Sequence, residues 1–231
     1  MSKKFHLISF KTWPWVQRAV IVLRAKGIDF EVTHITADDK PDWFLEISPH
    51  GKVPVLWVGD DILFESNAIA EFLDDTVEPR LHPEDPVKRA RNRAWTDFTP
   101  DFAKALGAVN YAKSRDTQNK AKEDARRALT RLEEALKQER GNEGPYFNGG
   151  KLCIVDAAYA PFFMRFTLVE KLCKTGLIKE YPSVERWRQA LVDNDIIRGS
   201  VVSDFSTVFE ANLHKRDAYA ATLLKEVEAA E

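Results

Sequence analysis

The chain has 231 residues, 44% of them hydrophobic and 30% charged, with a formal net charge of −2. Such a length and composition suit one or two globular domains whose core needs no disulfides, and the charge argues against a protein built mainly to hold nucleic acid. No segment reaches the roughly 20 apolar residues that span a bilayer, and no apolar run of signal length follows Met1, so neither a membrane protein nor a secreted one is expected. Cys153 and Cys173 form no metal motif or disulfide framework, which points to a reducing, cytoplasmic setting. The five histidines are dispersed and no glycine-rich phosphate loop occurs, so no metal is expected.

In chain order, residues 5–10 read as a short buried strand. A helix follows with Pro14 in its first turn, where a missing N–H does no harm, and with Val16, Ala19, Val20 and Leu23 at helical spacing before Gly27. Residues 30–35 alternate as a second strand. A Pro41 turn and a short helix lead to a hairpin, Val55 to Val58 and Ile62 to Phe64, around Gly59. A helix carrying Ile69, Phe72 and Leu73 closes this α/β unit at residue 76, and the proline-rich residues 77–86 read as a linker.

Beyond the linker the strand signal nearly vanishes, and residues 87–231 read as all-helical. Ala94, Trp95, Phe98, Phe102 and Leu106 predict one long helix with a bend at Pro100. The basic run Lys88, Arg89, Arg91 and Arg93 beside Glu84 and Asp85 reads as a solvated helix face. Leu129, Leu132 and Leu136 mark a second amphipathic helix, and a strongly apolar one follows Asp156. Val184, Trp187 and Leu191 suggest another, and residues 205–226 a final one.

The chemistry concentrates in two runs, His50-Gly51-Lys52-Val53-Pro54-Val55 and Phe64-Glu65-Ser66-Asn67. A proline at a strand mouth is one of the few places where a cis peptide is accessible, and it can turn the backbone of Val53 outward to pair with an extended peptide. Glu65 and Ser66 then offer an acceptor, a hydroxyl and a helix N-terminus to an amino-acid head group. Each has a plainer role as well: Ser66 as a simple N-cap and Glu65 as a first-turn acid.

A Val-Pro strand entry and a Glu-Ser helix start, followed by a helical domain, resemble the cytosolic glutathione transferase family over nearly the whole chain. The resemblance implies a thioredoxin-like α/β N-terminal domain plus an all-α C-terminal domain, with glutathione as co-substrate. It implies a cis Pro54, a Val53 backbone paired with the cysteinyl part of glutathione, Glu65 and Ser66 holding the γ-glutamyl end, and Lys52 facing the glycyl carboxylate. It also implies a homodimer.

The run Trp13-Pro14-Trp15-Val16-Gln17-Arg18 resembles the omega-like and tau-like signature, with Trp13 where a Cys or Ser stands before the proline. Indole N–H can donate a hydrogen bond but cannot attack, which argues against cysteine-type thiol transfer. Thr12 is the nearest hydroxyl, and free N–H groups in the first helical turn can also stabilise a thiolate. Thr12 and Trp13 are therefore the candidate catalytic residues, although each also has a structural reading, as a cap or as packing. The run Cys153-Ile154-Val155-Asp156 resembles the family's capping box, weakened by a cysteine at the hydroxyl position.

The expected activity is transfer of the glutathione thiolate to a small apolar electrophile, with Phe102, Tyr111 and Phe166 as candidates for the apolar substrate side. The rival reading is a non-catalytic relative that binds or carries apolar compounds.

Overall fold

The computed structural model describes residues 4–140 and 144–228. Four strands, β1 (Phe5–Ser9), β2 (Phe30–His34), β3 (Val55–Val58) and β4 (Asp61–Phe64), form a mixed sheet in the order β2-β1-β3-β4. β1 runs parallel to β2, with Leu7 opposite Val32, and antiparallel to β3, with Leu7 opposite Leu56. β3 and β4 make the expected hairpin, Val55 opposite Phe64, turned at Gly59 with φ 65°. Leu7 and Ile8, in the centre of the sheet, are wholly buried, as an apolar run covered on both faces must be.

Helix α1 (Pro14–Ala25) connects β1 to β2, and its stripe of Val16, Ala19, Val22 and Leu23 is buried. A short α2 (Asp42–Ile47) and then α3 (Ser66–Thr76) complete the α/β unit, with α1 packed on α3. The proline-rich connector is pinned rather than loose. Lys26 and Asp74, both fully buried, form an ion pair at 3.0 Å. Lys26 also donates to the carbonyls of Val77 and Pro79, and Asp74 accepts from the backbone N–H groups of Leu81 and His82.

The helical part begins with α4 (Pro86–Asp97) and α5 (Thr99–Asn110), where the sequence predicted one bent helix. Pro100 has no N–H for the carbonyl of Thr96, so the break falls at Phe98, two residues ahead of the proline. The basic face of α4 is exposed, as expected, and is ion-paired in part: Arg93 makes two hydrogen bonds to Glu71 of α3, and Arg91 pairs with Glu139. The long α6 (Arg115–Glu139) starts at a full Ser114/Thr117 capping box.

Helix α7 (Ile154–Cys173) is the buried centre, and α1 packs against it. Its capping box closes with the Cys153 sulfur in the hydroxyl's place. Asp156 accepts from the N–H of Cys153 at 2.7 Å, from that of Phe147 at 3.0 Å and from the indole of Trp187 at 2.6 Å. Burial pushes the Asp156 carboxyl up in spite of these bonds.

A 3₁₀ turn (Ile178–Glu180), α8 (Pro182–Asp193) and α9 (Asp195–Arg198) follow. The single final helix expected at 205–226 is two, α10 (Phe205–Lys215) and α11 (Tyr219–Glu228). Asp217 adopts φ 46° between them, and the N–H of Ala218 reaches back to Leu213, a left-handed helix end without its usual glycine. One continuous core joins the sheet to the helices, and a smaller one, around Val169, Phe209 and Leu213, seats the last helices. Among the described residues no helix is long and apolar enough to cross a membrane.

Candidate functional site

Two adjoining cavities open where the sheet unit meets α5, α7 and α10. The first, about 520 Å³, lies where the starts of α1, β3 and α3 come together and gathers Lys52, Val53, Pro54, Glu65 and Ser66 with Trp13. The second, about 360 Å³, shares Trp13, Trp15 and Pro100 with the first and is lined by Thr12.

The floor of the first cavity is the stretch before β3, and the Val53-Pro54 peptide is cis. Val53 is buried, yet among the described residues nothing pairs with its backbone N–H or C=O. Buried backbone groups are ordinarily paired, so a free donor and acceptor side by side at a cavity wall are an invitation to an extended peptide. The sequence reading missed Ser48, which fixes this edge. Its buried hydroxyl accepts from the N–H of Lys52 and donates to the carbonyl of the same residue, both at 2.9 Å. Lys40 likewise ties down Gly51 through its carbonyl at 2.9 Å.

The other wall is the start of α3. Here the structure corrects the simple capping roles: Glu65, not Ser66, occupies the N-cap position, and its side chain caps nothing. Glu65 sits at φ 67°, ψ 120°, a backbone region that non-glycine residues avoid, and its exposed carboxylate is left for the cavity. The N–H groups of Ser66, Asn67 and Ala68 have no partner within the helix, so this wall favours an anion.

Behind it stands Arg18 on α1, which the sequence reading had not singled out. Its guanidinium is buried, lies 5.1 Å from the Trp15 ring centre and donates to Asn67. Its Nε and one terminal nitrogen have no partner. Burial pulls its pKa down to about 10, which still leaves it charged at neutral pH.

The corner between the cavities is the start of α1. Trp13 is its exposed N-cap residue and provides no side-chain cap; Pro14 follows at N1. The first turn therefore presents free N–H groups at Trp15 and Val16. Thr12 lies on the second-cavity side of Trp13 and is absent from the lining of the first. Its carbonyl accepts from buried Arg165 of α7 at 2.6 Å. Trp15 packs edge-on to Phe162 of α7, 5.1 Å between ring centres, and forms the shared wall. Of the three aromatic candidates for the substrate side, Tyr111 lines the second cavity, whereas Phe102 and Phe166 are turned into the core.

Comparison with known proteins places this architecture. Residues 14–76 match the model of the glutathione S-transferase N-terminal domain, and residues 89–190 that of the C-terminal domain. The chain is 30% identical to glutathione S-transferase U1 of Arabidopsis thaliana over 203 residues, 84% of this chain and 87% of that protein. The chain belongs to the glutathione S-transferase family. It is a glutathione transferase that is also 29% identical to glutathione S-transferase omega-1 of Rattus norvegicus, over 88% of this chain and 83% of the relative. The crystal structure of a Tau class glutathione S-transferase from mango superposes with a TM-score of 0.79 at 24% identity, covering 93% of this chain and 98% of the other.

Proposed function

We propose that this glutathione transferase holds glutathione extended across the first cavity and directs its sulfur into the second, at an electrophile seated there. The unpaired backbone of buried Val53 carries this reading, because a cysteinyl residue offers the complementary C=O and N–H at the right separation for a short ladder. The γ-glutamyl carboxylate then meets the free N–H groups of α3, Ser66 and the guanidinium of Arg18, while its ammonium meets Glu65. Lys52, with Lys40 and His50 on the same wall, faces the glycyl carboxylate.

In this pose the sulfur lies at the N-terminus of α1. The free N–H groups there, the Trp13 indole and the Thr12 hydroxyl are the available donors, and each favours the thiolate over the thiol. The thiol proton goes to solvent, the sulfur forms the new bond to carbon, and the leaving group departs with its electron pair. The chain supplies positioning and charge stabilisation, and Trp13, lacking nucleophilicity, takes no covalent part.

Calorimetric titration with glutathione, paired with an aryl halide assay, tests the reading. Binding with turnover is expected; no binding overturns it. Thr12→Val is expected to lower kcat at least tenfold with glutathione affinity kept, and a wild-type rate would remove Thr12 as the thiolate's donor. Trp13 at the reactive corner favours one second reading, a carrier of apolar compounds, for which tight binding without turnover is the signature. A cytoplasmic location is part of the proposal. So is a homodimer in which a second copy covers the exposed Leu45, Ile62 and Phe64 of α2 and edge strand β4. Sedimentation at micromolar concentration tests it.

A further inference from the structure

The second cavity has a one-sided charge. Its walls are aromatic and aliphatic, with Trp13, Trp15, Tyr111, Phe162 and Phe209 among them, but its charged side chains are Lys104, Arg165 and Arg216, all cations. No carboxylate lines it, and among the described residues none of these cations has an ion-pair partner.

Arg165 shows this most clearly. It is almost wholly buried, and its acceptors are all neutral: the carbonyls of Thr12 and Pro161 at 2.6 Å and the side-chain oxygen of Gln17 at 2.7 Å. Its positive charge is hydrogen-bonded but uncompensated, a costly arrangement for a buried ion. Arg216, across the cavity, bonds to the neutral Asn212 oxygen at 3.1 Å and lies 4.7 Å from the ring centre of Tyr111. Lys104 is exposed at the rim. A concave, low-dielectric wall with charges of one sign concentrates their field inside the cavity.

A second observation points to an occupant. Asn110 is buried, lines the same cavity, and its side-chain oxygen has no partner. Buried side-chain polar atoms are nearly always paired, so this one awaits a polar group from a ligand. The volume, about 360 Å³, is near the lower end for small-molecule sites, and its aromatic walls suit a flat ring.

We infer that the electrophile taken by this cavity is a single aromatic ring bearing an acid group, the ring against Trp15 and Phe162 and the anion turned toward Arg165 and Arg216. The inference rests on the proposed delivery of the glutathione sulfur to this cavity. The reaction is displacement on the ring: the thiolate sulfur bonds to the halogen-bearing carbon, the carbon–halogen bond breaks with its pair going to halide, and the thiol proton goes to buffer.

The test compares 4-chloro-3,5-dinitrobenzoate with its methyl ester, each rate divided by the uncatalysed rate with glutathione to remove their different intrinsic reactivity. The acid is expected to exceed the ester at least tenfold in normalised kcat/KM at low salt, the ratio shrinking as salt screens the cations. Arg216→Gln and Lys104→Gln should each lower that ratio severalfold, and Lys179→Gln, on the 3₁₀ turn, should leave it alone. Equal normalised values, an ester preference, or a ratio unmoved in the Lys104→Gln/Arg216→Gln double variant would each overturn the inference. Should glutathione fail to bind, the delivery reading falls, and the cavity's preference is then read without it. Quenching of tryptophan fluorescence by 3,5-dinitrobenzoate at a lower Kd than by its methyl ester upholds it, and equal values sink it.

Discussion

The ligand role proposed for Glu65 falls on an unfavourable backbone, and two substitutions separate the two. At φ 67° a non-glycine residue costs on the order of 1–3 kcal/mol. Glu65→Ala removes the carboxylate and keeps that cost; Glu65→Gly removes both, while glycine's extra freedom in the unfolded chain gives back roughly 0.5–1 kcal/mol. The glycine variant should therefore be more stable than the alanine variant by about 1 kcal/mol, which for a chain of this length is about 2–4 °C in thermal midpoint. Both should bind glutathione at least tenfold more weakly, a loss of about 1.4 kcal/mol or more. Circular dichroism melts and calorimetric titration read the two effects side by side. A glycine variant no more stable than the alanine one would refute the strain argument. Wild-type affinity in either would refute Glu65 as the partner of the γ-glutamyl ammonium.

The remaining predictions concern the joint between the sheet unit and the helices. Burial pulls the Glu71 carboxyl upward, but hydrogen bonds from His82 at 2.7 Å and from Arg93 outweigh it and hold the pKa at about 2, against an ordinary 4.5. Because the folded value is the lower one, this stabilisation is complete above about pH 4.5 and is lost as pH falls from there through 2. Glu71→Gln should flatten the acid limb in a series of urea midpoints from pH 6 downward; an unchanged limb would show that other carboxylates govern it. Lys26→Met leaves Asp74 charged in the core and should cost about 3–5 kcal/mol, with much of the loss recovered in Lys26→Met/Asp74→Leu. Chemical denaturation of the three variants decides it, and a near-neutral Lys26→Met would mean that the two backbone N–H groups on Asp74 suffice.

The α/β order was legible because its signals are local: a buried apolar run for β1, a proline at N1 of α1 and a glycine turn between β3 and β4. Two helix breaks were not. The split at Phe98 is caused by a proline two residues later, which withholds a hydrogen bond from a carbonyl behind it, so the visible residue and the break do not coincide. The split at Asp217 uses a left-handed aspartate, and nothing in an Asp-Ala pair announces it as a Gly would. Val53, Pro54, Glu65 and Ser66, which line one cavity, could be read from two short runs. Arg18 and the buried Lys26–Asp74 pair could not, since their partners are 49 and 48 residues away along the chain and only packing brings them together, while Ser48 makes a local tie to Lys52 that neither run contains.

The half of the cleft proposed to bind and the half proposed to react differ in legibility for the same reason. The half proposed to bind is built mainly by one unit: the stretch before β3, the start of α3 and α1 all belong to residues 14–76, and Pro100 of α5 joins them at the rim. The reactive corner is built by both. Thr12 is held through its carbonyl by Arg165, and the same guanidinium bonds to Gln17, which in turn donates to Ser200 beyond α9. On the far side Lys11 pairs with Asp204 at 3.2 Å, and Phe205 lies under Arg165 at 4.9 Å. The loop before α1 is thus fixed by α7 and the 199–205 segment as much as by its own sheet. On the proposed function a tryptophan can stand at the corner because the geometry there rests on this buried cation and the free helix N-terminus rather than on one nucleophilic side chain. Under the proposed function the chemistry is then set where the two units meet, with Thr12 and Trp13 of the first held in place by Arg165 and the 199–205 segment of the second.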